Sequence, residues 1–187
     1  MGRRARSAQA EAKNQRQPVV GIVLGSDSDL PVMSEALNTL ERFDIPAEIT
    51  VASAHRSPQR VTAYAHSAAH RGLKVIIAGA GGAAHLAGVL AAETTLPVIG
   101  VPIGSSPLGG WDALLATVQM PAGVPVATMA IGKAGARNAA VLAAQILALN
   151  DTGLQEHLRR HKLELADEVA MKAEELRRKL ENHDQRA

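Results

Sequence analysis

Two histidines and an arginine mark where this chain could do chemistry. His55 and Arg56 follow the small apolar stretch "VASA", and Ser57-Pro58 come at once after them. His85 closes "AGAGGAA", in which Gly79, Gly81 and Gly82 leave the backbone bare for close approach. An imidazole moves protons near neutral pH, and a guanidinium fork fits two phosphate oxygens at once. A third stretch, "GSDSD" at 25–29, brings the hydroxyls of Ser26 and Ser28 and two carboxylates, of which Asp27 or Asp29 suits a diol. A helix opening at Leu30-Pro31 aims its free N–H groups at the same point, as an anion requires. Each feature also has a plainer reading. Asp29 is well placed to cap that helix, Ser57 and Pro58 fit the cap and first position of another, and a lone histidine at a strand end is commonly structural. Arg56 beside His55 weighs toward chemistry.

Several chemistries are disfavoured by what is missing. The chain has no cysteine, hence no thiolate nucleophile and no disulfide framework. There is no G-x-S-x-G elbow for a serine hydrolase. Neither G-x-G-x-x-G nor a Walker A sequence occurs, and no acidic residue closes the second strand to hold an adenosine ribose. Arg56 keeps a 2′-phosphate contact open as a minor alternative. His55 and His85 lack an evident third metal ligand, so no metal site is assigned. The residues converge on a small phosphorylated, hydroxyl-bearing compound, with proton transfer by histidine.

The elements that position these loops follow one grammar from Pro18 to Asn150. Short β-branched runs at 19–25, 47–53, 74–80, 97–103 and 125–131 alternate with Ala/Leu-rich segments near 30–43, 57–71, 84–93, 110–119 and 134–149. Near-continuous apolar strands alternating with helices predict a parallel sheet covered on both faces, a three-layer α/β sandwich. In such sheets ligands bind beyond the carboxyl ends of the strands, where "GSDSDLP", "SAHRSP" and "GAGGAAHLAG" all belong. The lean helices, such as "NAAVLAAQILAL", and the single Phe, Tyr and Trp leave a slight core for one copy. A homo-oligomer is therefore expected.

Three regions follow from composition. Residues 1–17 carry five Arg and Lys against one Glu, and read as a disordered basic arm. Residues 18–150 form one α/β catalytic domain. Residues 151–187 read as a charged amphipathic helix whose Leu158, Leu165, Val169, Leu176 and Leu180 make one stripe, expected to pack on a neighbouring subunit. The scarcity of aromatics argues against nucleic-acid binding. No secretory signal or membrane span is visible.

Taken together, "GSDSD", "SAHRSP", "VIIAGAGGAAHLAG", "LPVIGVP" and "VQMPAGVPVATMAIGKAGARNAAVLAAQIL" resemble the N5-carboxyaminoimidazole ribonucleotide mutase family of purine (IMP) biosynthesis. The resemblance covers about residues 18–150. It implies a flavodoxin-like, Rossmann-like fold, a cytoplasmic homo-octamer with sites near subunit junctions, and a reaction without ATP, metal or organic cofactor. The two ribonucleotides interconverted carry a carboxylate on N5 or on C4, and an ATP-dependent enzyme making the first is a possible transient partner. By the same resemblance His55 is the catalytic histidine and His85 the second active-site histidine. Ser26, Ser28 and Asp29 bind substrate from the first loop; Ser53, Ala54 and Arg56 bind it from the second, on the phosphate side. Gly81, Gly82, Ala83, Ala84 and Leu86 line the third, where backbone amides of 81–84 hold the migrating carboxylate.

The departures are few. Ala87 stands where many relatives have Pro, and "SSPLGGWDALL" differs from the usual loop at Pro107, Trp111 and Ala113. Related carboxylases that use free CO₂ usually have lysine after the second-strand histidine and lack the Gly-rich loop. Arg56 and "GAGGAAHLAG" thus place the resemblance on the mutase side.

Overall fold

The computed structural model describes residues 16–184. The N-terminal arm therefore lies outside the described residues, apart from its last two. Arg16 pairs with Asp44 through two hydrogen bonds of 2.6 and 2.9 Å, and the Gln17 amide donates to the Arg71 carbonyl at 2.7 Å.

Five strands appear in the expected order: β1 (Val20–Leu24), β2 (Ala47–Val51), β3 (Val75–Gly81), β4 (Val98–Ile103) and β5 (Ala127–Thr128). They are all parallel and lie in the order β2-β1-β3-β4-β5, which is the flavodoxin-like arrangement. Between them run α1 (Leu30–Arg42), α2 (Pro58–Ala68), α3 (Leu86–Glu93) and α4 (Trp111–Val118), and α5 (Lys133–Ala148) follows β5. With right-handed crossovers this order puts α1 and α5 on one face and α2, α3 and α4 on the other. Side chains agree. Glu35 of α1 pairs with Arg137 and Lys133 of α5 at 2.9 and 3.5 Å, while Val61 and Ala65 of α2 share a cluster with Leu86 and Leu90 of α3.

The strands β1, β3 and β4 are buried along nearly their whole lengths, as their unbroken Val/Ile runs require. Helix packing on them is close because the facing residues are small. Ala136, Ala139, Ala140, Ala143 and Ala144 form the buried face of α5. At Gly79 a methyl group would meet the Met33 sulfur at 2.5 Å, so α1 sits directly on the β3 backbone.

Two strands differ from expectation. β2 is an edge strand, half-buried along its length and with Val51 40% exposed. It also ends at residue 51, which leaves His55 in a turn beyond the strand. β5 is only two residues long where seven were expected. The ladder does continue loosely, since the Gly100 and Pro102 carbonyls accept from Met129 and Gly132 N–H at 2.9 Å each. Pro102 faces that neighbour with an acceptor but no donor, so regular pairing cannot extend.

The chain divides into two compact units at Leu147 and Ala148. The second consists mainly of α6 (Thr152–Asp184). Asp151 caps it, its carboxylate accepting the Leu154 N–H at 2.9 Å. Pairs such as Lys179–Glu175 at 2.7 Å brace its surface. Along it Leu165, Val169, Leu176 and Leu180 are exposed.

Candidate active site

Register sets the site. Leu24 lies level with Val51 on one side and Gly79 on the other, so three loops leave the sheet at one height. The order also reverses at β1, the switch point where α/β sheets open a crevice. A cleft of about 280 Å³ lies there.

The first loop is held by its own side chains. Ser26 N–H donates to the Asp29 carboxylate at 2.9 Å, and the Ser26 hydroxyl accepts from Ser28 N–H at 3.4 Å and from the Ser28 hydroxyl at 2.9 Å. Asp29 occupies the cap position of α1 but makes no capping bond there. Its carboxylate reaches back along the loop, and the residue is only 4% exposed. Burial pushes this carboxyl above its ordinary value, against the Ser26 hydrogen bond and the Arg56 charge; nearby Asp27 pushes the same way as burial. A raised folded-state value favours the protonated form, so this contribution to stability is full at acid pH and lost as pH rises through the folded value. Asp29→Asn should therefore gain in melting temperature relative to its parent on going from acid to neutral pH. A gap that moved the other way would show that the ionised form is the better held one.

The second loop is built on two serines. Arg56 N–H donates to the Ser53 hydroxyl at 3.2 Å, and Ser53 N–H donates to the Ser57 hydroxyl at 3.0 Å. Ser57 stands at the cap position of α2, as expected, yet its hydroxyl turns back to the Ser53 carbonyl at 3.2 Å rather than capping. The turn is thereby fixed with His55 and Arg56 exposed. Arg56 Nη2 donates to the Gly25 carbonyl at 3.3 Å, which lays the guanidinium across the end of β1.

The decisive contact joins the second loop to the third. His55 Nε2 and His85 Nδ1 lie 2.8 Å apart, with the rings at 76°. A hydrogen bond between two imidazole nitrogens needs one N–H and one lone pair, so one proton sits between them. The pair is open to the cleft and can pass a proton to whatever binds beside it.

Of the residues expected at the site, the cleft is lined from the first loop by Ser26, Ser28 and Asp29. The second contributes Ser53, Ala54, His55 and Arg56, and the third Gly81, Ala83, His85 and Leu86. Gly82 and Ala84 do not line it. Ala84 is buried and its N–H is already donated to the Gly82 carbonyl at 2.9 Å, as that of His85 is to Ala83 at 2.8 Å. Ser105, beyond β4, also lines the cleft and was missed. The rule that located the other loops points to it equally, since it follows the carboxyl end of a strand. Among the described residues no three His, Asp or Glu side chains converge as a metal site would require.

Residues 19–168 match the family described as AIR carboxylase. The chain belongs to the AIR carboxylase family. An N5-carboxyaminoimidazole ribonucleotide mutase of Pyrococcus horikoshii is 56% identical over 160 residues, 86% of this chain and 89% of that protein. A phosphoribosylaminoimidazole carboxylase of Saccharomyces cerevisiae is 54% identical over 160 residues, again 86% of this chain but 28% of that longer protein. The crystal structure of Treponema denticola PurE superposes with a TM-score of 0.76 at 26% identity, over 85% of this chain and 98% of that one. All the cleft-forming loops fall inside the residues that match the AIR carboxylase family.

Proposed function

We propose that this chain is a mutase that moves a carboxylate between N5 and C4 of an aminoimidazole ribonucleotide. The observation that carries the reading is the 2.8 Å contact between His55 and His85 in a cleft flanked by Arg56. The mutase name of a relative 56% identical over most of both chains supports it. The substrate phosphate lies on Arg56, with Ser53 beside it, and the ribose hydroxyls meet Asp29 and the serines of the first loop. His55 gives its proton to N5 as the N5–carboxyl bond breaks and CO₂ is released within the cleft. The C4 carbon then attacks CO₂ to form the new C–C bond, and the proton lost from C4 returns to His55. No net proton is consumed, and no covalent bond to the protein forms. His85 holds the His55 ring and its tautomer.

The carboxylase name of the yeast relative favours a second reading, in which free CO₂ is the co-substrate. One experiment separates them. Conversion of N5-carboxyaminoimidazole ribonucleotide should proceed at the same rate with and without added bicarbonate. A rate that rises in proportion to bicarbonate, starting from the uncarboxylated ribonucleotide, would decide for the carboxylase.

Assembly belongs to the same proposal. Trp111, Leu115 and Val118 lie on one side of α4 and are 65%, 53% and 49% exposed, and exposed apolar residues grouped in this way mark a surface suited to a partner. A cytoplasmic homo-octamer, with α6 docked through its leucine stripe on a neighbouring copy, accounts for both surfaces. No helix among the described residues is long and apolar enough to cross a membrane. Transient contact with the ATP-dependent enzyme that supplies the substrate is the remaining proposed partnership. Deleting residues 154–187 should lower the melting temperature and the mass of the assembly in light scattering. An unchanged octamer with an unchanged melting temperature would remove α6 from the interface.

A further inference from the structure

We propose that Ser105 is a substrate-binding residue that holds the migrating carboxyl group from the β4 side of the cleft. The inference rests on the mutase reading and adds a contact that neither the Gly-rich loop nor the histidines provide.

The sheet order places four loop ends in a row. Arg56 follows β2, Ser26 and Asp29 follow β1, Gly81 and His85 belong to β3 and its exit, and Ser105 follows β4. Neighbouring strands lie about 4.8 Å apart, so the row spans roughly 14 Å, comparable with an extended ribonucleotide. With phosphate at the β2 end and the base beside the histidines, the group leaving or joining the base falls toward β4.

Local structure then turns Ser105 inward. Its N–H donates to the Ile103 carbonyl at 3.0 Å, which folds the chain back over the end of β3. Gly81 makes room for it. A methyl group on Gly81 would fall on the Ser105 hydroxyl and would also meet the Ile103 carbonyl oxygen at 2.9 Å. The neighbouring Ser106 is already committed: its hydroxyl accepts from Leu108 N–H at 3.1 Å and hydrogen-bonds Asp112. The Ser105 hydroxyl has no such partner among the described residues, and it lines the cleft.

A hydroxyl suits the task better than a cation. It donates to a carboxylate oxygen before and after transfer, and it tolerates neutral CO₂ in between. A lysine or arginine there would hold the carboxylate far more tightly than CO₂, which deepens the ground state and slows the decarboxylation step.

The test uses the full-length chain and Ser105→Ala, with circular dichroism and assembly mass as controls for folding. Wild type and variant are given N5-carboxyaminoimidazole ribonucleotide, and both the C4-carboxylated product and released aminoimidazole ribonucleotide are measured. Ser105→Ala should lower kcat/KM for N5-carboxyaminoimidazole ribonucleotide by about 10–100-fold, the range of a lost hydrogen bond to a charged group. It should also raise the share of turnovers that lose CO₂, while affinity for the uncarboxylated ribonucleotide, which lacks the group held, stays the same. A variant equal to wild type in both rate and CO₂ loss would overturn the Ser105 assignment alone. Wild type that forms no C4-carboxylated product would overturn the mutase reading and this inference with it.

Discussion

His55→Asn should lower interconversion by about 10²–10⁴-fold in both directions, equivalent to roughly 3–5 kcal/mol of transition-state stabilisation. The fold should survive. His55 is exposed in a turn fixed by Ser53 and Ser57, not by the imidazole. An Asn amide can still hydrogen-bond toward His85, but it neither gives up nor takes a proton near neutrality. Ribonucleotide affinity should therefore change little while turnover collapses. Near-normal turnover by a well-folded variant would move the proton-transfer role to His85. An equal loss of binding and turnover would make His55 an anchor.

The second large effect is expected at Arg56. Its guanidinium is exposed and, among the described residues, donates a 3.3 Å bond to the Gly25 carbonyl, so its charge is available to a ligand. Arg56→Ala should weaken ribonucleotide binding by about 10–100-fold, the range for hydrogen bonds to a charged group. The melting temperature should barely move, because the Arg56 side chain is exposed and packs into no core. Arg56→Lys keeps the charge without the two-point fork and should recover only part of the affinity. Binding by isothermal titration of the C4-carboxylated product decides the matter. Unchanged affinity in Arg56→Ala would place the phosphate elsewhere.

Much of this architecture is legible in the residues, for identifiable reasons. The Val/Ile runs of β1, β3 and β4 are buried on both faces, so their composition states their position. The edge position of β2 is not legible in this way, because "AEITVAS" is apolar enough to pass for a central strand and nothing local says that only one neighbour pairs with it. β5 is shorter than its own residues suggest, for the opposite reason. Its residues favour a strand, but the limit on pairing comes from Pro102 on the adjacent strand, a non-local effect. At the site, His55, Arg56 and His85 announce themselves by type and by place. Their 2.8 Å contact does not, since 30 residues separate the two histidines and only the alignment of β1 with β2 and β3 closes the gap. Ser57 and Asp29 show how a local rule can name the right position and the wrong bond. Each stands where a cap belongs, and each spends its side chain on its own loop.

The hydrogen bond between the two imidazoles has a consequence for how the cycle closes. It accommodates one proton and two arrangements, with the N–H on one ring or on the other. On the proposed route the substrate draws on the arrangement that leaves His55 able to donate, and the last step restores that same arrangement. Forward and reverse turnovers then start from one resting form, with no recharging step from solvent between them. The site behaves as a catalyst that is its own time-reverse: the form of His55 that gives a proton to N5 in one direction is the form that gives one to C4 in the other.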